Sequence, residues 1–166
     1  MFPQSKQITL EQAIEKRQGI KKLVFTNGTF DLLHAGHVAY LQQARALGDA
    51  LFLGLNSDQS ITRLKGPKRP LVIEEDRVHI LSGLSCVDAV IVFDDTTADQ
   101  LIQGLQPNVY AKGGDYTLDP KEPGTYLPET PTVKHYGGEI ALIPLQTGRS
   151  TTSLIERILE RYCEQA

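Results

Sequence analysis

Five short apolar runs, separated by segments with helical spacing, most constrain what this chain can fold into. The runs are "KKLVFT" (21 to 26), "ALFLGLN" (50 to 56), "DAVIVF" (88 to 93), "NVYAK" (108 to 112) and "GEIALIPL" (138 to 145). Nearly continuous apolar runs of this length suit strands covered on both faces, the situation of a parallel sheet. Between them, Val38, Tyr40, Leu41, Ala44 and Leu47 recur with the helical period from Gly36 onward, and helices are also expected over 74 to 84, 97 to 105 and 150 to 163. Thr9 and Gln12 are placed to cap a further short helix that Gly19 ends. Parallel strands joined by right-handed crossovers predict a three-layer, Rossmann-like α/β fold with a five-stranded, mainly parallel sheet.

The 166 residues, 40% hydrophobic, fit one domain over 1 to 166, with residues 1 to 20 as an N-terminal extension or helix. A net charge of -3 gives no global field for nucleic acid, so an anionic ligand must be held by local donors, which points to small phosphorylated molecules. No apolar run approaches the roughly 20 residues of a membrane span, and the N-terminus lacks a signal-peptide core. With two isolated cysteines, Cys86 and Cys163, the expectation is a cytoplasmic protein with neither nucleic-acid nor membrane partners.

Four irregular segments, 27 to 37, 57 to 70, 112 to 116 and 146 to 152, follow strands directly. In open α/β sheets ligands bind beyond the carboxyl ends of strands, so the four are expected to form one site. Gly66, Pro67 and Pro70 make 57 to 73 a loop, and Pro120, Pro123, Pro128 and Pro131 make 116 to 131 a structureless stretch, functional or mobile.

The first of these segments carries "TNGTFDLLHAGH". Asn27-Gly28 is locally a hairpin signal, but the helical period that follows favours a strand-to-helix turn aiming N–H groups at an anion. Neither GxGxxG nor GxxxxGK[ST] is present, which argues against a nicotinamide enzyme or a P-loop NTPase. His34 and His37, three apart, project from one face of a helix start, with Gly36 leaving the backbone open between them. They suit zinc ligands, capping and packing groups, or phosphate donors; the first lacks further ligands, since His79 and His135 stand alone.

Phosphate donation has a chemical reason behind it. Displacement at an α-phosphorus by a phosphate monoester needs no protein nucleophile, only in-line placement and stabilisation of charge. Ser150, Thr151 and Thr152, opening the last helix, are either an N-cap or a seat for the β- and γ-phosphates. Arg63, Lys65, Lys68 and Arg69 form a basic run, solvated or reaching phosphate. In "KGGDY" Asp115 is an acceptor or ribose hydroxyl contact or a turn aspartate, and Lys112 meets the acceptor phosphate or is a surface lysine; Asp31 orients the turn or a histidine.

"GTFDLLHAGH" resembles the signature of the HxGH nucleotidyltransferase superfamily, in its cytidylyltransferase-like branch. The order of Asn56 to Asp58, Arg63 to Gly66, Arg69 to Pro70, Cys86 to Asp88, "KGGDY", Gly137 to Glu139 and "STT" is similar to the adenylyltransferase domains of the bacterial ADP-heptose synthase type, over residues 20 to 163. The resemblance implies AMP transfer from ATP to a sugar 1-phosphate, D-glycero-β-D-manno-heptose 1-phosphate above all, with Mg²⁺ carried on ATP, no protein metal ligand, and a homodimer. Its alternative is cytidylyl transfer to glycerol 3-phosphate or a related alcohol phosphate. Against that alternative, "LQTGRSTT" does not place Arg149 where those enzymes carry an arginine in "RTEGISTT".

Carried onto this chain, the resemblance implies His34, His37 and Lys65 as catalytic groups, with Lys68 as a substitute for Lys65. Asn27, Gly28, Thr29, Phe30, Gly36, Arg77, Gly114, Asp115, Ser150, Thr151 and Thr152 join the histidines as nucleotide contacts. Asp31, Lys65 and Lys112 are implied at the acceptor. The "TLDPKEPGTYLPETPTVKHY" segment is longer than the resemblance leads one to expect, which points to an altered acceptor lid.

Overall fold

The computed structural model describes residues 5 to 144, 148 and 150 to 163. In chain order its elements are α1 (Leu10–Arg17), β1 (Leu23–Gly28), α2 (Ala35–Arg45), β2 (Ala50–Asn56), α3 (Asp58–Lys65), α4 (Glu74–Ser82), β3 (Ala89–Phe93), α5 (Asp99–Leu105), β4 (Val109–Gly113), β5 (Tyr116–Thr117), β6 (Thr125–Tyr126), α6 (Thr130–His135), β7 (Glu139–Ile143) and α7 (Thr151–Cys163). The main sheet runs β3-β2-β1-β4-β7 with every pairing parallel, as the unbroken apolar runs require. The predicted three-layer architecture is the observed one.

Side chains alternate between two buried clusters, one on each face. Phe25, Phe52, Ile91 and Tyr110 join α1, α5 and α6 on one side; Val24, Leu51, Leu53 and Val90 join α2 and α4 on the other. Thr9 and Gln12 close the expected capping box of α1, and the segment before it runs beside β3, where Lys6 Nζ donates to the carbonyls of Leu84 and Val87.

Two segments differ from expectation. Residues 57 to 73 are not one loop: Ser57 Oγ accepts from Ser60 N, and α3 follows with Ile61 fully buried, so only the stretch after Gly66 is irregular. The prolines and glycine that signalled a loop lie beyond the helix, and their influence was extended too far upstream. The proline-rich stretch is likewise structured: β5 and β6 pair, α6 follows, and Leu127 and Val133 are fully buried. Leu145, in the last predicted strand, lies outside the described residues.

Candidate active site

The sheet order reverses between β1 and β4, and the two strands part there. Their ladder couples only Val24 with Val109 and Phe25 with Tyr110. Beyond it, Asn27 spans the gap: its Oδ1 accepts from the Tyr110 hydroxyl at 2.6 Å and from Lys112 Nζ at 3.2 Å, and its backbone oxygen takes Lys112 Nζ as well. A cleft of about 550 Å³ opens at this point, at the switch position where open α/β sheets bind ligands. All four irregular segments singled out from sequence contribute to it: residues between Asn27 and His37, Lys65 at the end of α3, Lys112 with Gly113 and Asp115, and Ser150 with Thr151.

Asn27-Gly28 ends β1 and leads toward α2, so no hairpin forms. Phe30 takes the left-handed conformation, φ 42°, an uncommon state for an aromatic residue. Its ring covers Gly28, where a Cβ would lie 3.0 Å from the ring edge, and meets the His37 imidazole edge-on at 5.5 Å between centroids. The turn therefore needs glycine at 28 because of what stands at 30.

His34 is the N-cap of α2 and His37 its N3 residue. His34 Nδ1 accepts from Gly36 N at 3.1 Å and His37 Nδ1 accepts from His34 N at 3.3 Å, a reciprocal capping box made of two imidazoles. A ring nitrogen that accepts a backbone N–H carries no proton, so each neutral ring holds its proton on Nε2. Burial first, then the charges of His34 and Lys65, push the His37 pKa down to about 4, leaving it a neutral N–H donor at pH 7. The capping and donor readings are thus compatible: the helix start uses the Nδ1 atoms, and His37 carries its proton on the opposite nitrogen. Among the described residues no group of three His, Cys, Asp or Glu side chains could hold a metal ion.

Lys65, at the end of α3, reaches the turn and donates to Thr29 Oγ1 at 3.0 Å. Partial burial, then the charge of Arg69, lowers its pKa. Lys68 is exposed and is not among the cleft walls.

Asp31 and Arg77 require correction. Asp31 is 2% exposed, pairs with Arg69 Nε at 2.5 Å and accepts from Leu71 N and Val72 N, so it clamps the segment after Pro70 onto the turn and is closed to an acceptor. Arg77 is 1% exposed and is not among the cleft walls: its guanidinium donates to the carbonyls of Thr29, Asn56 and Val72 at 2.8 to 3.0 Å and pairs with Asp58 at 2.7 Å. The ends of β1 and β2 leave carbonyls that no neighbouring strand satisfies, and a buried fork of donors meets them. Arg77 shares its helix face with buried Leu81, one turn on, which was a readable sign that it points inward.

Gly114 and Thr152 are also not among the cleft walls. Gly114 N donates to Ile143 O at 2.8 Å, where an added Cβ would press on the same oxygen, and Gly113 lines the cleft instead. Ser150 accepts from Ser153 N at 3.0 Å, an N-cap contact, and with Thr151 still faces the cleft; Thr152 is exposed. Arg149 lies outside the described residues.

The opposite wall was only half legible. Lys112 was expected there and is 8% exposed; burial lowers its pKa, and the charges of Glu129 and Asp115 oppose that shift. Tyr40 and Glu129, which also line the cleft, were missed. Tyr40, from α2, binds Thr26 Oγ1 and the Ala111 carbonyl, tying the helix to β1 and β4. Glu129 comes from the proline-rich segment and is 3% exposed. Nothing local distinguishes these residues from a core tyrosine or a loop acid.

A parallel sheet with a histidine-capped helix and a hydroxyl-bearing helix start facing one switch-point cleft defines a nucleotidyltransferase type of α/β domain. The chain belongs to the cytidylyltransferase-like family, whose model matches residues 25–157. It is 58% identical over 149 residues to the bifunctional protein HldE of Syntrophotalea carbinolica and 57% identical over 153 residues to that of Geobacter sulfurreducens. These alignments cover 90% and 92% of this chain but 29% and 30% of the relatives, so the chain spans about a third of their length. In structure it is similar to a lipopolysaccharide core biosynthesis protein from Thermoplasma volcanium: TM-score 0.59, 26% identity, covering 75% of this chain and 96% of that one.

Proposed function

We propose that this chain transfers AMP from ATP to a sugar 1-phosphate, most closely D-glycero-β-D-manno-heptose 1-phosphate, releasing pyrophosphate and an ADP-sugar. The observation that carries the reading is the convergence of two Nε2–H imidazoles, Lys65 and the first turn of α7 on one cleft, a set of donors without a protein nucleophile. The identity to HldE, 58% and 57% over 90% and 92% of this chain, supports the sugar-phosphate acceptor over an alcohol phosphate.

An anionic oxygen of the acceptor phosphate attacks the α-phosphorus, the new P–O bond forms opposite the α–β bridge, and that bridge breaks to free pyrophosphate. His34 and His37 donate to the phosphate oxygens on which charge builds, while Lys65 draws acceptor and α-phosphates together. The hydroxyls and N-terminus of α7 seat the β- and γ-phosphates. Mg²⁺ would come with the triphosphate and offset its charge; among the described residues the cleft walls carry the carboxylates Asp115 and Glu129 and otherwise donors, which fits a metal held mainly by phosphate and water.

Pyrophosphate release across a matrix of nucleoside triphosphates and sugar or alcohol phosphates tests the reading. ATP with heptose 1-phosphate is the expected pair; a preference for CTP with glycerol 3-phosphate would replace it with the cytidylyl alternative. The proposal includes a homodimer, supported by Ile158, Leu159 and Tyr162 lying exposed on α7, and light scattering at the mass of one chain would remove it. No described helix is long and apolar enough to cross a membrane.

A further inference from the structure

The cleft has two chemically different walls. One carries His34, His37, Lys65, Ser150 and Thr151, all hydrogen-bond donors to phosphate. The other combines Lys112 with two carboxylates, Asp115 and Glu129, and the ring of Tyr116, whose centroid lies 4.9 Å from Lys112 Nζ.

Glu129 is the unexplained member. It is buried to 3% exposure yet reaches the cleft, and it makes no ion pair among the described residues. One oxygen, Oε1, accepts from Ala98 N at 3.1 Å, and the Tyr110 hydroxyl stands beside the carboxylate. A capping task for Ala98 would be met by a neutral Gln or Asn. The carboxylate shares the wall with Lys112, whose charge acts on it, and as a cleft-lining acceptor it can take further hydrogen bonds from a ligand.

The charges around it restrict what that ligand can be. Lys112 spends two hydrogen bonds on Asn27, and an ammonium has three protons, so one remains for a ligand. A phosphate dianion placed on Lys112 would lie among two carboxylates and meet repulsion. Hydroxyl groups meet none: each donates one hydrogen bond and accepts others, matching a wall that offers both a cation and carboxylates.

We propose that Glu129, with Lys112 and Asp115, forms the acceptor's polyol subsite, its carboxylate accepting hydrogen bonds from sugar hydroxyls, so that the acceptor phosphate lies toward Lys65 and His37 and not at Lys112. This rests on the sugar-phosphate reading above. It turns the proline-rich segment from an altered lid into the element that presents a specificity-determining carboxylate. Glu129 is supplied by the residue just before α6, which Leu127 and Val133 anchor in the core, so the group is held rigidly.

The test measures pyrophosphate release by wild-type, E129Q and E129D proteins with ATP and heptose 1-phosphate, and with monodeoxy forms of that sugar phosphate. Gln keeps an oxygen for Ala98 N, and Asp keeps the charge but withdraws it by one methylene. E129Q is expected to raise KM for the sugar phosphate roughly ten- to hundredfold, with KM for ATP within about twofold, the usual effect of losing a hydrogen bond to a charged group. The increase should disappear against the monodeoxy acceptor that lacks the contacted hydroxyl, a coupling that a purely structural role would not produce. If E129Q melts far below wild type, E129D and the wild-type response to the deoxy series decide the point.

An unchanged sugar-phosphate KM in E129Q, or an equal rise for ATP, overturns the assignment of Glu129 while leaving sugar-phosphate transfer in place. A wild-type protein inert toward every sugar 1-phosphate removes the underlying reading and this subsite with it.

Discussion

His37 caps α2 through Nδ1 and, in the proposed reaction, donates through Nε2, and substitutions separate the two roles. Gln at N3 is the usual partner in a capping box, so His37→Gln preserves the bond to His34 N, whereas His37→Ala loses it at a cost of about 0.5 to 1 kcal/mol. Both are expected to reduce kcat at least a hundredfold, as removal of a preorganised phosphate donor does, with the alanine variant alone melting a few degrees lower. Steady-state kinetics and thermal melts on the pair check this; full activity in either variant would contradict the donor role. The depressed pKa sets the acid response. Between the ordinary histidine value and about 4, the unfolded chain binds a proton that the folded His37 refuses, so this contribution to stability is complete above pH 6.5 and is lost as pH falls toward 4. His37→Gln should therefore lose less melting temperature than wild type between pH 7 and 5.

At the scale of elements, the histidine turn is held in shape from behind. Arg77 ties the ends of β1 and β2 to α4, and Asp31 with Arg69 fastens the segment after α3. Arg77→Met leaves the Thr29, Asn56 and Val72 carbonyls without their buried donor, and a loss of about 3 to 5 kcal/mol is expected, read by denaturant unfolding. Gly28→Ala puts a Cβ 3.0 Å from the Phe30 ring, which must give by a few tenths of an ångström and so disturbs its edge contact with His37. That variant should fold and keep most of its stability but lose at least tenfold in kcat/KM for ATP; unchanged kinetics would show that the Phe30 position does not matter. At this scale much could be read from the sequence. The strand-to-helix turn was plain from the helical period after Gly36, because a helix start is a local event. The roles of Asp31 and Arg77 were not, because their partners lie tens of residues away.

Over the whole molecule, the proline-rich segment is part of the core, not an appendage. Leu127 and Val133 join the cluster of Phe25, Phe52 and Tyr110, and Thr132 binds Asp99 at 2.5 Å, joining α6 to α5. Leu127→Ala should cost about 2 to 4 kcal/mol and lower the melting temperature by roughly 5 to 15 °C, where a mobile lid would leave it unchanged.

The sequence by itself determined the architecture and half of the cleft. Apolar runs at strand length and helical periods between them are local patterns, and a parallel α/β sheet is nearly the only way to bury them all. Order along the chain likewise placed the irregular segments at one end of the strands. What only the tertiary structure decided was orientation: whether a polar side chain in those segments faces the cleft or the interior. Asp31 and Arg77 went inward because unpaired backbone groups awaited them there, and Glu129 arrived at the cleft because the core seats the proline-rich segment beside β4. The direction a side chain takes is set mainly by partners distant in sequence, and local spacing, as from Arg77 to Leu81, gives only a hint of it.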